Sequence, residues 1–177
     1  MADIPQRVFI TKNQAQGTHF YQQMDAFSQL NFPRYPFRIR KRETGPQIWD
    51  NIRRKWLVLT PEEWVRQHLI RFLTEAPGVL PASISQENPI ELGGTRQRAD
   101  LVVFARNGSP CLLAECKAPD VNLTQITLAQ AVRYNSILKT PFVLLTNGIK
   151  HICYRYDNSG HWLTMNDIPD LSPFFRI

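Results

Sequence analysis

A chain of 177 residues with 43% apolar and 20% charged side chains can bury one sizeable core, which excludes a disordered or collagen-like polymer. Its net charge is +6, and the excess is confined to one end: residues 1–60 carry ten Lys/Arg against four Asp/Glu, whereas residues 61–177 carry eleven of each. The aliphatic runs fall far short of the roughly 20 residues needed to span a bilayer, the N-terminus lacks a basic-then-apolar secretory pattern, and three cysteines make no disulfide framework, so a cytoplasmic protein without a membrane partner is expected.

Residues 1–29 are polar and glutamine-rich and read as a weakly structured extension, with helical character around 21–30, ahead of one domain over 30–177. Runs with β character follow at 37–41, 47–50 and 55–59, broken at Gly45-Pro46. Arg34, Arg38, Arg40, Lys41 and Arg42, then Arg53, Arg54 and Lys55, make this the basic part, suited to attracting a polyanion such as DNA. Charges that keep an edge strand from pairing with another sheet would look the same. The first helix is the best marked: Thr60 stands at N-cap, Pro61 at the first helical position and Glu63 where a capping box requires it. Trp64, Val65, Leu69, Phe72 and Leu73 recur at helical spacing, and Pro77-Gly78 ends the element. Strands are expected at 84–92, 99–105 and 110–118, the last two turning at Asn107-Gly108. A second helix over 124–138 stops at Lys139-Thr140-Pro141, and strands at 142–146 and 149–156 turn at Asn147-Gly148. The order β, α, β-β-β, α, β-β predicts an α/β domain, a mixed β-sheet flanked by helices.

The chemistry-bearing residues fall on the central hairpin. Alternation puts Glu115 and Lys117 on one face of their strand, at the end of a row that includes Leu113. Hairpin pairing brings Asp100, at the start of the neighbouring strand, beside Glu115. Two adjoining carboxylates repel unless a cation neutralises them. Oxygen ligands favour Mg2+ or Mn2+, and a lysine two residues on can hold or help to deprotonate an attacking water. That set suits hydrolysis of a phosphodiester, although an ordinary cross-strand ion pair of Lys117 with Asp100 or Glu115 has the same spacing. On the first helix Glu62 falls along the apolar side with Val65, Leu69, Phe72 and Leu73, where a carboxylate needs a partner, while Glu63 is accounted for by capping. A first-turn glutamate also favours the helix dipole. On the second helix Gln130 and Tyr134, four apart, share a face with Ile126 and Ile137. A buried glutamine there takes a carboxylate, a water, a phosphate or a backbone carbonyl as partner.

The segments Pro61-Glu62-Glu63-Trp64-Val65-Arg66, Arg98-Ala99-Asp100, Glu115-Cys116-Lys117-Ala118-Pro119, Gln130-x-x-x-Tyr134-Asn135 and Thr146-Asn147-Gly148 carry a family likeness. Over about residues 30–169 the chain resembles the N-terminal nuclease domain of the type I restriction enzyme R subunit, a branch of the PD-(D/E)xK superfamily. The resemblance implies a restriction-endonuclease-like fold and a DNA endonuclease dependent on Mg2+ (or Mn2+). It implies a catalytic core of Asp100, Glu115 and Lys117, with Glu62 and Gln130 in the active site. The metal would be held by Asp100, Glu115, the backbone carbonyl of Cys116 and Glu62, the last directly or through water. Tyr134 becomes an active-site or DNA-contacting residue; Arg38, Arg40 and Arg42, from the charge pattern, are expected to form the basic DNA-binding face. Partners implied are DNA, other restriction-system subunits or a second copy of the chain. No Gly-x-x-x-x-Gly-Lys-Ser/Thr phosphate loop is present, so any ATP-driven translocation is expected from another chain. A catalytically silent DNA- or partner-binding module of the same fold is the alternative.

Other groupings are set aside. Cys111, Cys116, His151 and Cys153 form a nominal zinc set, but Cys111 and Cys116 are an odd number apart on one strand and are expected on opposite faces. His68 reads as a core-edge histidine. Trp49, Trp56, Trp64 and Trp162 read as packing residues, too scattered for a base-stacking platform.

Overall fold

The computed structural model describes residues 29–75, 78–157, 159, 161–165 and 167–175; all but the last residue of the expected extension lies outside the described residues. The elements are β1 (Ile39–Arg42), β2 (Gly45–Asp50), β3 (Lys55–Val58), α1 (Pro61–Glu75), β4 (Ile84–Leu92), β5 (Thr95–Phe104), β6 (Pro110–Cys116), α2 (Gln125–Leu138), β7 (Phe142–Thr146), β8 (His151–Tyr156) and β9 (Trp162–Met165). Strands β4 to β9 form one six-stranded sheet in sequence order. Its β6–β7 pair is parallel and its other pairs are antiparallel, because α2 supplies the long crossover that a parallel pair needs. Strands β1 to β3 make a separate antiparallel sheet rather than joining the main one.

The separation follows from α1, which is buried from Glu63 to Ile70 and again at Leu73. A surface helix hides one stripe; this one is covered by the small sheet as well as the large one. Ile48 of β2, Leu69 and Leu73 of α1, and Leu101, Leu112 and Leu144 of the large sheet belong to one apolar cluster. The other face of the large sheet packs Leu113, Val143 and Leu145 against Ala131 and Tyr134 of α2.

Local chemistry sets the element ends. Thr60 caps α1, its Oγ1 accepting the Glu63 N–H at 3.0 Å. The capping box goes no further, since the Glu63 carboxylate turns to Arg66 and Gln67 instead. Lys139 ends α2 in the left-handed conformation (φ +53°), and the Asn135 side chain ties down Thr140 through its N–H at 2.8 Å and its carbonyl at 3.0 Å. Strand β5 starts at Thr95, earlier than expected, because Gly93 and Gly94 take positive φ (58° and 75°) and close a tight hairpin. Strand β9, unforeseen, has all four residues part-exposed or exposed and so no hydrophobic alternation to announce it. Cys111 is the extra residue of a bulge, since Val103 pairs with Leu112 and Phe104 with Pro110. Strict alternation fails there, and Cys111 and Cys116 both pack into the same cluster rather than on opposite faces.

Asp50 is the polar keystone between the sheets. It is 1% exposed. Its Oδ1 accepts the N–H groups of Ile52 and Arg53, and its Oδ2 accepts Arg53 Nε at 2.8 Å and Gln67 Nε2 of α1 at 3.2 Å. Burial works to raise this carboxyl, yet Arg53's hydrogen bonds and charge hold it below the usual carboxylate range. Asp50→Ala removes the buried acceptor shared by the Arg53 guanidinium, the Gln67 amide and two backbone N–H groups, and is expected to lower stability by about 3–5 kcal/mol. In a thermal melt, Asp50→Asn should fall well short of that loss.

Among the described residues no helix is long and apolar enough to cross a membrane.

Candidate active site

The hairpin register delivers the two central acids. Leu101 pairs with Ala114, so Asp100 stands next to Glu115. The Asp100 N–H donates to Glu115 Oε1 at 3.4 Å, and the Cys116 N–H donates to Asp100 Oδ2 at 2.8 Å. Glu115 is 1% exposed. Burial, then the Asp100 charge, push its carboxyl up to about 8; Glu62 adds to the rise, while Lys117 and the Asp100 N–H oppose it. Glu62 is raised too, by burial first and then by Asp100, with Lys117 and Arg66 pulling the other way. Glu62 and Glu115 therefore both feel the charges of Asp100 and Lys117.

Glu62 nevertheless lies differently from expectation. Its side chain is 41% exposed, whereas that of Glu63 is 8% exposed. Because α1 is covered on two sides, burial is not limited to the stripe that includes Leu69 and Leu73, and Glu63 enters the interior as part of an ion network.

The centre of that network is Arg66, a residue to which the sequence alone assigned no role. Its Nη2 reaches Asp100 Oδ1 at 3.2 Å and Glu62 Oε1 at 3.3 Å, and its Nη1 reaches Glu63 Oε2 at 2.8 Å. Burial alone would lower its pKa, but the charges of Asp100 and Glu63 hold it above the ordinary arginine value. The readable signal was its spacing, three and four residues beyond two glutamates.

Lys117 follows β6 directly. Its N–H donates to Thr146 O at 2.8 Å, and Asn147 Nδ2 bonds the carbonyls of Pro119 (3.3 Å) and Val121 (2.9 Å), which pins the loop after it. The turn doing this is tightly seated: a Cβ on Gly148 (φ +81°) would lie 2.7 Å from Leu30 Cδ2.

Gln130 and Tyr134 do share a face, Gln130 Nε2 donating to Tyr134 Oη at 3.1 Å. The packed side of α2 runs through Thr127, Ala131 and Tyr134, leaving Gln130 on its flank. Ile126 and Ile137, expected beside them, are 82% and 51% exposed. Arg38, Arg40 and Arg42 lie apart from the acids, at the outer face of the small sheet. There Trp49 and Trp56 are not scattered but stand opposite each other in register, ring centroids 5.4 Å apart.

Among the described residues, no three His, Cys, Asp or Glu side chains converge as a ready-made metal cage. What the site offers is hard oxygen donors in excess of nearby cations.

The architecture is a restriction-endonuclease-like mixed α/β fold. It is similar to a solved fragment assigned as the HsdR subunit of a type I restriction enzyme from Vibrio vulnificus YJ016, at 22% identity and a TM-score of 0.50, over 63% of this chain and 24% of that one. The chain thus spans about a quarter of the length of that protein. Residues 61–169 match the family described as type I restriction enzyme R protein N terminus (HSDR_N), and the chain belongs to that family. The match includes Glu62, Arg66, Asp100, Glu115, Lys117, Gln130 and Tyr134 and leaves β1–β3 outside. No curated protein matches the chain in sequence comparison.

Proposed function

We propose that this chain is a divalent-cation-dependent nuclease module that hydrolyses DNA phosphodiester bonds through a PD-(D/E)xK site at Asp100, Glu115 and Lys117. The observation that carries the reading is Glu115: a carboxyl 1% exposed, set against a second acid and pushed up to about 8, becomes charged only at a cost that a bound cation would offset. Asp100, Glu115, the Cys116 carbonyl and Glu62 are hard oxygen donors of the type that Mg2+ or Mn2+ takes. Each Asp100 oxygen accepts one bond, from Arg66 and from the Cys116 N–H respectively, so an ion would use the remaining lone pairs and compete with the Arg66 charge. When bound, the ion would supply Lewis-acid stabilisation and a more acidic water.

The chain's own residues supply the rest. Glu115 must give up its proton to serve as a ligand. Lys117, near enough to lower the pKa of both Glu115 and Glu62, holds the attacking water and offsets charge developing on the phosphate. Gln130 and Tyr134 present an amide and a phenol to the substrate backbone, and Arg38, Arg40 and Arg42 hold DNA further along. Proposed partners are DNA and other subunits of a restriction system, or a second copy of the chain, in the cytoplasm.

The test is plasmid cleavage by purified chain in Mg2+ or Mn2+ against EDTA. Nicking that needs the ion and vanishes in Asp100→Asn is expected; equal cleavage by both proteins would assign the activity to a contaminant. The engagement of both Asp100 oxygens favours one second reading, a silent binding module, which salt-sensitive DNA binding without cleavage under any divalent ion would support.

A further inference from the structure

We propose that the outer face of β1–β3 is a stacking platform for unpaired bases of single-stranded DNA, with Trp49 and Trp56 as its floor and Arg38, Arg40 and Arg42 taking the phosphates. This rests on the nuclease reading for its choice of DNA and otherwise stands on different residues.

Alternation sorts the small sheet cleanly. Ile39, Ile48 and Leu57 pack toward the core. Arg40 and Arg42 of β1, Gln47 and Trp49 of β2, and Trp56 and Val58 of β3 therefore share the outer face. Arg38 joins them through its carbonyl, which accepts the Trp49 N–H at 2.9 Å.

The arginines are organised against the indoles. The Arg38 guanidinium lies 5.0 Å from the Trp49 ring centroid and 5.7 Å from that of Trp56, and Arg40 lies 4.2 Å from Trp56. Gln47 Oε1 accepts Arg40 Nε at 2.8 Å and fixes its orientation. Among the described residues, Arg38, Arg40 and Arg42 make no ion pair, whereas Arg53 holds three carboxylates and Arg66 four. An arginine used for stability finds an acid. Three without one, two of them laid on a pair of part-exposed indoles, fit a ligand that is itself anionic and aromatic.

A duplex hides its base faces, so it could use the arginines but not the rings; unpaired bases could use both. Protection of a sheet edge would need charges along β1, but it gives no reason for guanidinium groups to be folded over the face onto tryptophans.

The measurement is fluorescence anisotropy of a labelled 15-nucleotide oligothymidylate and a duplex of equal length, in EDTA so that no cleavage intrudes. The expected results are tighter binding of oligothymidylate, quenched indole emission, and about a tenfold or greater loss of oligothymidylate binding in Trp56→Ala with the duplex little changed. Arg38→Gln with Arg40→Gln should reduce the slope of log K against log salt by about 1.4. Trp49→Ala provides a second variant, and a cooperative melt certifies either as folded. Unchanged oligothymidylate binding in both folded tryptophan variants, or no binding by the parent chain, overturns the platform. Stacking without metal-dependent cleavage would sink only the nuclease reading, and cleavage with unaltered variant binding would sink only the platform.

Discussion

Replacing Glu115 by glutamine is expected to raise the melting temperature at pH 8 by about 5–10 °C while removing the response to Mg2+ or Mn2+. The carboxyl sits at about 8 in the folded chain against an ordinary 4.5, so the folded state retains a proton that the unfolded chain releases. The stability this provides is complete below about pH 4.5 and is lost as pH climbs toward 8, at no more than about 1.4 kcal/mol per pH unit. Glutamine matches the protonated form in shape and never ionises. Its advantage over the parent should be near zero at pH 4.5 and grow to roughly 2–4 kcal/mol at pH 8. A divalent ion should recover most of that difference in the parent by pairing with the carboxylate. Melts from pH 4.5 to 8, with and without Mn2+, check both statements; a gap that does not vary with pH would show that Glu115 carries no such burden.

Lys117→Ala is expected to cut the rate of DNA cleavage by about 10²–10⁴-fold and to leave Mn2+ binding intact or tighter. The fold should tolerate the change, because the contact that seats this residue is its backbone N–H on Thr146 O, which alanine keeps. Removing the ammonium strips a positive charge from the neighbourhood of Glu62 and Glu115, which leaves more negative charge to attract a metal. Single-turnover cleavage alongside Mn2+ titration separates the two effects. Loss of rate and metal binding together, at unchanged melting temperature, would assign Lys117 to metal capture rather than to the reacting water.

The pairing of Asp100 with Glu115 was legible because a hairpin register follows from turn chemistry and alternation, both local properties. The α1 start at Thr60-Pro61 and the end of α2 at Lys139 were legible for the same reason. What escaped depends on packing between distant segments. Glu62 and Glu63 could not be ranked for burial without knowing that a second sheet covers α1, and Arg66 gains its meaning from Asp100, thirty-four residues away. The face of α2 was misjudged because isoleucine is the stronger apolar signal, whereas the sheet has room for Ala131 and Tyr134. The Trp49–Trp56 pair was invisible for another reason: the six intervening residues include Asp50, whose side chain organises the turn that brings the rings together.

Sharing one helix between two sheets has a mechanical outcome. Peeling β1–β3 away would strip Ile48 from the common cluster and Asp50 from Gln67 in a single event, so the small sheet cannot fray as an independent flap. Amides in the middle turns of α1 are thereby locked behind whole-domain opening, and solvent deuterium should reach them among the last.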